Sequence, residues 1–264
     1  MASSGHILTL SCPDKPGIVH AVTGIFAAKG HNVLDLQQFS DPVTNKFFMR
    51  ALATEYSMTY NFRPLKRRTR VLIMVSKIGH CLNDLLFRMK TGQLLIEVPI
   101  IVSNHPDFEA LAKSYGIEFH HLPVTKDTKL NQESKVLELI KQHNIELVVL
   151  ARYMQVLSPR LCEEMSGKII NIHHSFLPSF IGAKPYHQAF DRGVKIIGAT
   201  AHIVTADLDE GPIIEQRVTR VDHSMDPKKL SEEGSTVETQ VLAAAVRWYA
   251  EGRVFLNGHK TVVF

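Results

Sequence analysis

From residue 70 onwards, short apolar runs alternate with segments whose apolar residues recur every three or four positions. The first run, Arg70–Ser76 (RVLIMVS), is continuous, which is typical of a strand buried on both faces of a sheet. Further strands are predicted at 97–103, 117–120, 147–150, 168–173 and 194–204, and helices at 82–89, from 106, at 136–140 and at 230–248. This alternation predicts an α/β fold with an open, mostly parallel, Rossmann-like sheet.

The residues before this region predict a small α+β unit. Strands are expected at 6–11, 32–39, 47–53 and 56–62, with one helix from Ile18 to Phe26. The basic segment Pro64–Arg70 then looks like a linker, and its alternative interpretation is a binding site for an anionic ligand. We therefore predict two domains, at 1–65 and 66–264, with a turn at Asn257-Gly258 forming a final hairpin.

Charge and cysteine content limit the function classes. The 30 Lys and Arg residues exceed the 26 Asp and Glu residues by too little to predict a nucleic-acid partner. Three widely spaced cysteines form neither a disulfide framework nor a metal-binding pair, and the 14 histidines show no HExxH spacing, so no metal is expected. Without an evident leader or an apolar run of membrane-spanning length, we expect a cytoplasmic protein with no membrane partner.

Polar residues follow two predicted strands, at the edge of a parallel sheet where ligands collect. In the segment KIINIHHS, Asn171 and His173 share one face of a strand, whereas Ile172 and His174 should point the other way. An amide can donate a hydrogen bond to a developing oxyanion while an imidazole moves a proton. The alternative is that both are ordinary polar residues at the start of a loop.

The second polar segment is TADLDEGP, at 205–212. It holds Asp207, Asp209 and Glu210, and Gly211-Pro212 predicts a sharp turn that would aim a carboxylate. A carboxylate that meets His173 would hold its tautomer and stabilise the imidazolium. A solvated acidic turn is the alternative. A nucleophilic pair of His80 and Cys81 is a weaker candidate.

These segments resemble the folate-dependent formyltransferase superfamily. The resemblance lies in Asn171-Ile172-His173, the following SFLP and Gly182, and LDEGP at 208–212. It implies that Asn171, His173 and Asp209 are catalytic. The segment ARYMQVLSP, at 151–159, is similar to the folate-pocket segment of that family. The resemblance thus implies substrate binding by Met154, Gln155, Val156, Leu157, Ser175, Leu177, Pro178, Gly182, Val204 and Asp207.

Within this superfamily the sequence is most similar to the formyltetrahydrofolate deformylases. The similar stretches are HCLNDL at 80–85, IHHSFLPSFIGAKP at 172–185, and SCPDKPG at 11–17 with QQFSD at 37–41. The resemblance implies an N-terminal ACT-type domain and a hydrolase acting on a linear amide C–N bond. Its substrate would be 10-formyltetrahydrofolate, with water as the second reactant and no cofactor. It also implies balancing of one-carbon pools, formate supply for purine synthesis and assembly as a homo-oligomer.

Two features depart from the patterns that these resemblances imply. Transformylases have a Gly-rich phosphate loop after the first strand, but Ser76–Cys81 (SKIGHC) has one glycine, which favours water over a ribonucleotide as acceptor. About ten residues separate the strand ending near Ala53 from Pro64, too few for the second helix of an ACT domain. Regulation by an amino-acid effector is therefore uncertain. The alternatives are formyl transfer to an amine and a non-catalytic regulator that binds folate or an amino acid.

Overall fold

The structure, a computed structural model, describes residues 5–54, 63–64, 67–125, 127–177 and 185–264. The strands among these residues are β1 (Gly5–Pro13), β2 (Val33–Asp41), β3 (Lys46–Thr54), β4 (Arg63–Pro64), β5 (Thr69–Val75), β6 (Ile96–Ser103), β7 (Glu118–His121), β8 (Leu147–Leu150), β9 (Ile169–His173), β10 (Ile196–Ile203), β11 (Ile213–Arg220), β12 (Val254–Asn257) and β13 (Lys260–Val263). The helices are α1 (Ile18–Ala28), α2 (His80–Lys90), α3 (Glu109–Ser114), α4 (Lys129–Gln142), α5 (Pro159–Glu164), α6 (Pro185–Asp191) and α7 (Pro227–Ala250).

The larger of two compact units, Arg68–Arg247, contains a seven-stranded sheet in the order β11-β10-β9-β8-β5-β6-β7. Strands β9, β8, β5, β6 and β7 pair in parallel, whereas β10 is antiparallel to both β9 and β11. The expected α/β class with a mostly parallel sheet is confirmed.

The core of this unit forms because the central strands are apolar on both faces. Residues Val71–Val75 of β5 are fully buried. Since side chains alternate along a strand, Leu72 and Met74 face the same side, where they join a cluster with Val136 of α4 and Leu161 of α5. Burying each such side chain contributes about 1.5–3 kcal/mol to folding. The packed helices fix the strand ends that carry the polar groups.

The chain order creates a switch point in this sheet. The strand next to β5 on one side is β6 and on the other side is β8, so the connections leave β5 and β8 in opposite directions. A crevice opens at the carboxyl ends of such a strand pair. Ser76 follows β5 and its amide donates to the carbonyl of Arg152, which follows β8 (3.2 Å). The Met154 amide donates to the Ser76 hydroxyl (2.9 Å), so both loops are tied together there.

The second unit comprises Met1–Arg67 together with Trp248–Phe264. Its four-stranded sheet has the order β2-β3-β1-β4, and the hairpin β12–β13 is turned at Gly258, which has φ of 63°. The hairpin joins this unit because Asn257 donates to the buried carboxylate of Asp41 (2.6 Å) and Lys260 pairs with the same group (3.0 Å). Residues 248–264 therefore group with the N-terminal unit, and not with the second domain in which we had placed them.

Some details differ from the sequence-based prediction. The linker is shorter than 64–70, because Arg70 lies in β5, where its guanidinium pairs with Glu97 (2.6 Å). Helix α3 begins at Glu109 rather than at Pro106, and β11, α5 and α6 were not predicted. The predicted strand 56–62 lies outside the described residues, as does most of the segment in which the second ACT helix was expected to be missing. None of the described helices combines the length and apolar character that spanning a membrane requires.

Candidate active site

The carboxyl end of β9 and the neighbouring loops bring four polar side chains together. His173 Nδ1 lies 3.2 Å from Asp209 Oδ2, in agreement with the predicted meeting of a carboxylate with this imidazole. Asn171 Nδ2 lies 3.2 Å from Nε2 of His202, a residue on the adjacent strand β10. The other oxygen of Asp209 is 3.6 Å from the same His202 nitrogen. The four side chains thus form one continuous polar network.

The turn after β10 aims Asp209 at this network. Asp209 adopts a left-handed backbone with φ of 57°, which is uncommon for a residue other than glycine. Ile203 donates a backbone hydrogen bond to the carbonyl of Pro212 (2.8 Å), which closes the turn onto the end of β10. A side chain at Gly211 would overlap the Ile203 carbonyl, so only glycine fits there. The predicted role of Gly211-Pro212 in directing a carboxylate agrees with this geometry.

The hydrogen-bonding pattern defines the protonation of the network. His202 Nδ1 donates to the carbonyl of Ile203 (3.0 Å), so in its neutral form Nε2 accepts from the Asn171 amide. The hydrogen bond from His173 is the main reason that the pKa of Asp209 lies well below its usual range, against the opposing effect of burial. Asp209 is therefore an anion at neutral pH. His173 Nε2 is buried and has no hydrogen-bond partner among the described residues.

A cavity of about 520 Å³ opens beside these groups. Its size is suitable for a small organic ligand. The lining includes the three predicted catalytic residues and six predicted binding residues: Asn171, His173, Asp209, Met154, Gln155, Val156, Leu157, Val204 and Asp207. Met154, Val156 and Leu208 are more than half exposed, so the cavity offers apolar side chains to a flat aromatic ligand.

Four other predicted binding residues have different positions. Ser175 and Leu177 are buried and do not line the cavity. The Thr200 hydroxyl donates to the Ser175 carbonyl (3.0 Å) and accepts from the Leu177 amide (3.1 Å), so these residues hold the loop after β9 on the sheet. Pro178 and Gly182 lie outside the described residues.

His174 differs from its predicted orientation. Strand β9 ends at His173, and the alternation of side chains ends with it. His174 therefore lines the same cavity as Asn171 and His173, with its ring centroid 5.3 Å from that of His173. Sequence reasoning also missed His202, whose only signal was a single imidazole within the apolar strand GATAHIV.

A buried charged cluster lies at the end of the switch-point crevice. We call His80, Arg152, Tyr186 and Glu238 the Glu238 cluster. The carboxylate of Glu238 accepts from Tyr186 Oη (2.7 Å) and His80 Nε2 (2.7 Å), and Arg152 Nε lies 3.5 Å away. Burial opposes ionisation, but the His80 hydrogen bond and the Arg152 charge hold the pKa of Glu238 below its usual value.

The same region contains the possible metal ligands and the possible nucleophile, Cys81. Ligand atoms of His80, Cys81 and Glu238 lie within 4.8 Å of one another, as a metal site would require. Glu238 already has three protein partners, however, and the Arg152 guanidinium beside it repels a cation. Burial, and then the Glu238 charge, raise the pKa of the Cys81 thiol well above its usual value, so it is not an activated nucleophile.

The segment 76–81 contains no open phosphate cradle. A side chain at Gly79 would overlap the ring of Phe108, which covers this glycine. The Ser76 hydroxyl donates to Asn104 Oδ1 (2.7 Å), and His80 is bound to Glu238. Phe108 thus covers the single glycine of this segment, and the Ser76 amide is already bonded to the Arg152 carbonyl.

Comparison with known proteins identifies the family. Residues 69–246 match the family model "Formyl transferase" and residues 6–57 match "ACT domain". A formyltetrahydrofolate deformylase of Corynebacterium sp. (strain P-1) is 53% identical, over 98% of this chain and 97% of its own length. The Bacillus subtilis (strain 168) deformylase is 43% identical, over 97% and 93%. Both alignments extend over 278 positions, more than the 264 residues of this chain, so they include positions that this chain lacks.

Solved structures agree with this result. The formyltetrahydrofolate deformylase from Burkholderia mallei is 49% identical, with a TM-score of 0.95 and coverage of 99% of both chains. Glycinamide ribonucleotide transformylase 1 from Symbiobacterium toebii is 26% identical, with a TM-score of 0.71, over 78% of this chain and 98% of its own. The deformylases therefore match nearly the whole chain, whereas the transformylase matches only part of it. This chain belongs to the formyltetrahydrofolate deformylase family.

Proposed function

We propose that the protein hydrolyses 10-formyltetrahydrofolate to tetrahydrofolate and formate, with Asn171, His173 and Asp209 as its catalytic groups. The observation that carries this assignment is the convergence of these three side chains on one wall of the 520 Å³ cavity. Membership of the deformylase family supports the substrate and the reaction. The folate is the substrate, and neither a metal nor another cofactor takes part.

The folate ring system occupies the cavity between the 154–157 segment and the loop 204–209. Water attacks the formyl carbon, and its proton passes to Nε2 of His173, the nitrogen that has no partner among the described residues. Because its pKa is held low, Asp209 is a poor proton acceptor, so its role is to fix the His173 tautomer through Nδ1 and to stabilise the imidazolium.

The tetrahedral intermediate then decomposes. The Asn171 amide, which His202 orients, donates a hydrogen bond to the oxyanion. The bond between the formyl carbon and N10 breaks, and His173 returns its proton to N10, so that tetrahydrofolate and formate leave. The Asn171 amide has two N–H groups. One is bound to His202, and the other remains for this donation.

One assay tests the proposal against its alternatives. Formate release from 10-formyltetrahydrofolate is measured with the wild type, Asn171→Ala and His173→Ala, with and without a primary amine. Removing an oxyanion donor costs about 3–4 kcal/mol, so Asn171→Ala should lower turnover by roughly two to three orders of magnitude. Strong stimulation by the amine would identify a formyltransferase instead. Binding of folate without formate release would identify a non-catalytic regulator. Full activity after treatment with a chelator is expected.

We propose a cytoplasmic homo-oligomer that balances one-carbon pools and supplies formate for purine synthesis. The ACT match at 6–57 supports an amino-acid effector such as glycine or methionine, although this unit is expected to lack one helix. Light scattering and the formate assay with each amino acid test these points. The domain boundary near residue 65 remains a prediction, to be tested by limited proteolysis.

A further inference from the structure

His174 is placed at the reaction centre without a part in the mechanism above. It lines the cavity together with Asn171, His173 and Asp209, and it is partly buried. Neither of its ring nitrogens forms a hydrogen bond with a described residue, although every other imidazole that lines this cavity has a polar partner. A ring nitrogen of His174 is therefore available to a small molecule in the cavity.

The Glu238 cluster closes the space behind His174. The His174 ring centroid lies 6.2 Å from that of Tyr186, whose hydroxyl donates to Glu238. The Tyr186 ring is packed so closely on α7 that a side chain at Gly234 would overlap it. Arg152 Nε and Nη1 are buried and form no hydrogen bond with the described residues. The buried side chains of Tyr186 and Glu238 therefore lie on this side of His174.

The two adjacent histidines have opposite electrostatic surroundings. His173 Nδ1 lies 3.2 Å from the carboxylate of Asp209. Burial, followed by the Arg152 charge, lowers the pKa of His174 to about 4. The charged and titratable groups that face His174 come from three elements and two loops: His173 on β9, Tyr186 on α6, Glu238 on α7, Arg152 after β8 and Asp209 after β10. His174 is a neutral imidazole at neutral pH, and it keeps a free lone pair.

We propose that His174 holds the attacking water by accepting a hydrogen bond from it. The proposal rests on the hydrolytic function above. One hydrogen of the water forms a hydrogen bond to His174. The other is transferred as a proton to His173 as the water oxygen bonds to the formyl carbon. The first stays on the oxygen and leaves within formic acid, which ionises to formate. His174 is therefore not itself protonated during turnover.

This arrangement gives the chain its preference for water. A water molecule needs only an acceptor and a proton carrier on the same side of the formyl carbon. His174 and His173 supply these two functions from consecutive positions, because the strand ends between them.

The first test replaces His174 with leucine and with glutamine. For His174→Leu we expect kcat for formate release to fall about 10- to 100-fold while KM changes less than threefold. For His174→Gln, which keeps an acceptor, we expect a smaller loss. His187→Gln is the matched control, because His187 is exposed on α6 and does not line the cavity; its kcat should equal that of the wild type. An unchanged kcat in His174→Leu, with wild-type folding by circular dichroism, would overturn the proposal.

The second test uses the pH profile and does not alter His174. Removing the Arg152 charge takes away one of the two main causes that lower the pKa of His174, while burial, the larger cause, remains. Protonation then removes the lone pair of His174 at a higher pH than in the wild type. We expect Arg152→Met to lose activity on the acid side about one pH unit above the wild type, and Arg152→Lys to restore the wild-type profile. If activity fell equally at all pH values in both Arg152→Met and Arg152→Lys, Arg152 would have only a structural role. An inactive wild type would refute the proposed function, whereas an active wild type with unaffected variants refutes only this inference.

Discussion

Replacing Asp209 with asparagine removes the negative charge beside His173 and preserves the shape of the side chain. The backbone tolerates the change, since asparagine adopts the left-handed conformation of this position, φ 57°, at little cost. The variant should therefore fold, and any loss of activity reports on the charge. In the proposed mechanism, His173 carries a proton that Asp209 stabilises across 3.2 Å.

The size of the effect follows from this distance. A charge-assisted hydrogen bond contributes up to about 3 kcal/mol net, which is a factor of about 150 in rate. The Coulomb energy at 3.2 Å and an effective dielectric constant of about 20 is about 5 kcal/mol, a factor of about 5,000. We therefore expect kcat to fall by about 10²- to 10⁴-fold in Asp209→Asn.

The assay is formate release under saturating substrate, with binding of a non-hydrolysable folate analogue measured in parallel. Glu210→Gln is the control, because this neighbouring carboxylate carries the same charge but is exposed and lies outside the cavity lining. Its kcat should stay within about twofold of the wild type. If Asp209→Asn kept kcat within fivefold and still bound the analogue, the assigned role of Asp209 would be refuted.

Three further substitutions probe the framework of the molecule. Gly211→Ala forces a methyl group against the Ile203 carbonyl, so formate release should be nearly abolished through displacement of Asp209, and circular dichroism should still show a folded chain. Gly24→Ala in α1 meets no neighbouring atom, and chemical denaturation should show stabilisation of its unit by about 0.5–1 kcal/mol; a loss would contradict the α1 geometry. Leu72→Ala empties a fully buried position and should lower the free energy of unfolding by about 2–5 kcal/mol in urea titration, whereas a loss below 1 kcal/mol would contradict the packing of β5.

The strands of the central sheet could be predicted because their residues are apolar without interruption, as in Arg70–Ser76. Strand β11 escaped prediction for the opposite reason. It lies at the edge of the sheet, and IIEQRVTR places polar residues where a central strand would need apolar ones. Helices α5 and α6 span six and seven residues, too few for helical periodicity to emerge.

Some residues of the candidate site could likewise be predicted from the sequence, and others could not. Asn171, His173 and Asp209 could be predicted as catalytic residues because they cluster at strand ends and match a known family pattern. His174 was misplaced because a sequence does not show at which residue a strand stops. Glu238 is one of several acidic residues on α7, and only the tertiary structure reveals that it is the buried one, opposite His80. Long-range pairing of this kind leaves no local signal.

The hairpin β12–β13 has a consequence for the order in which the chain acquires its structure. Asn257 binds Asp41 across 216 positions of sequence, so the N-terminal unit includes residues that the ribosome adds more than 200 residues later. The residues of the catalytic unit, 68–247, are all made before this hairpin exists. The N-terminal unit is therefore the first to begin emerging during synthesis and the last to be completed. Until then, the carboxylate of Asp41 lacks the contacts with Asn257 and Lys260.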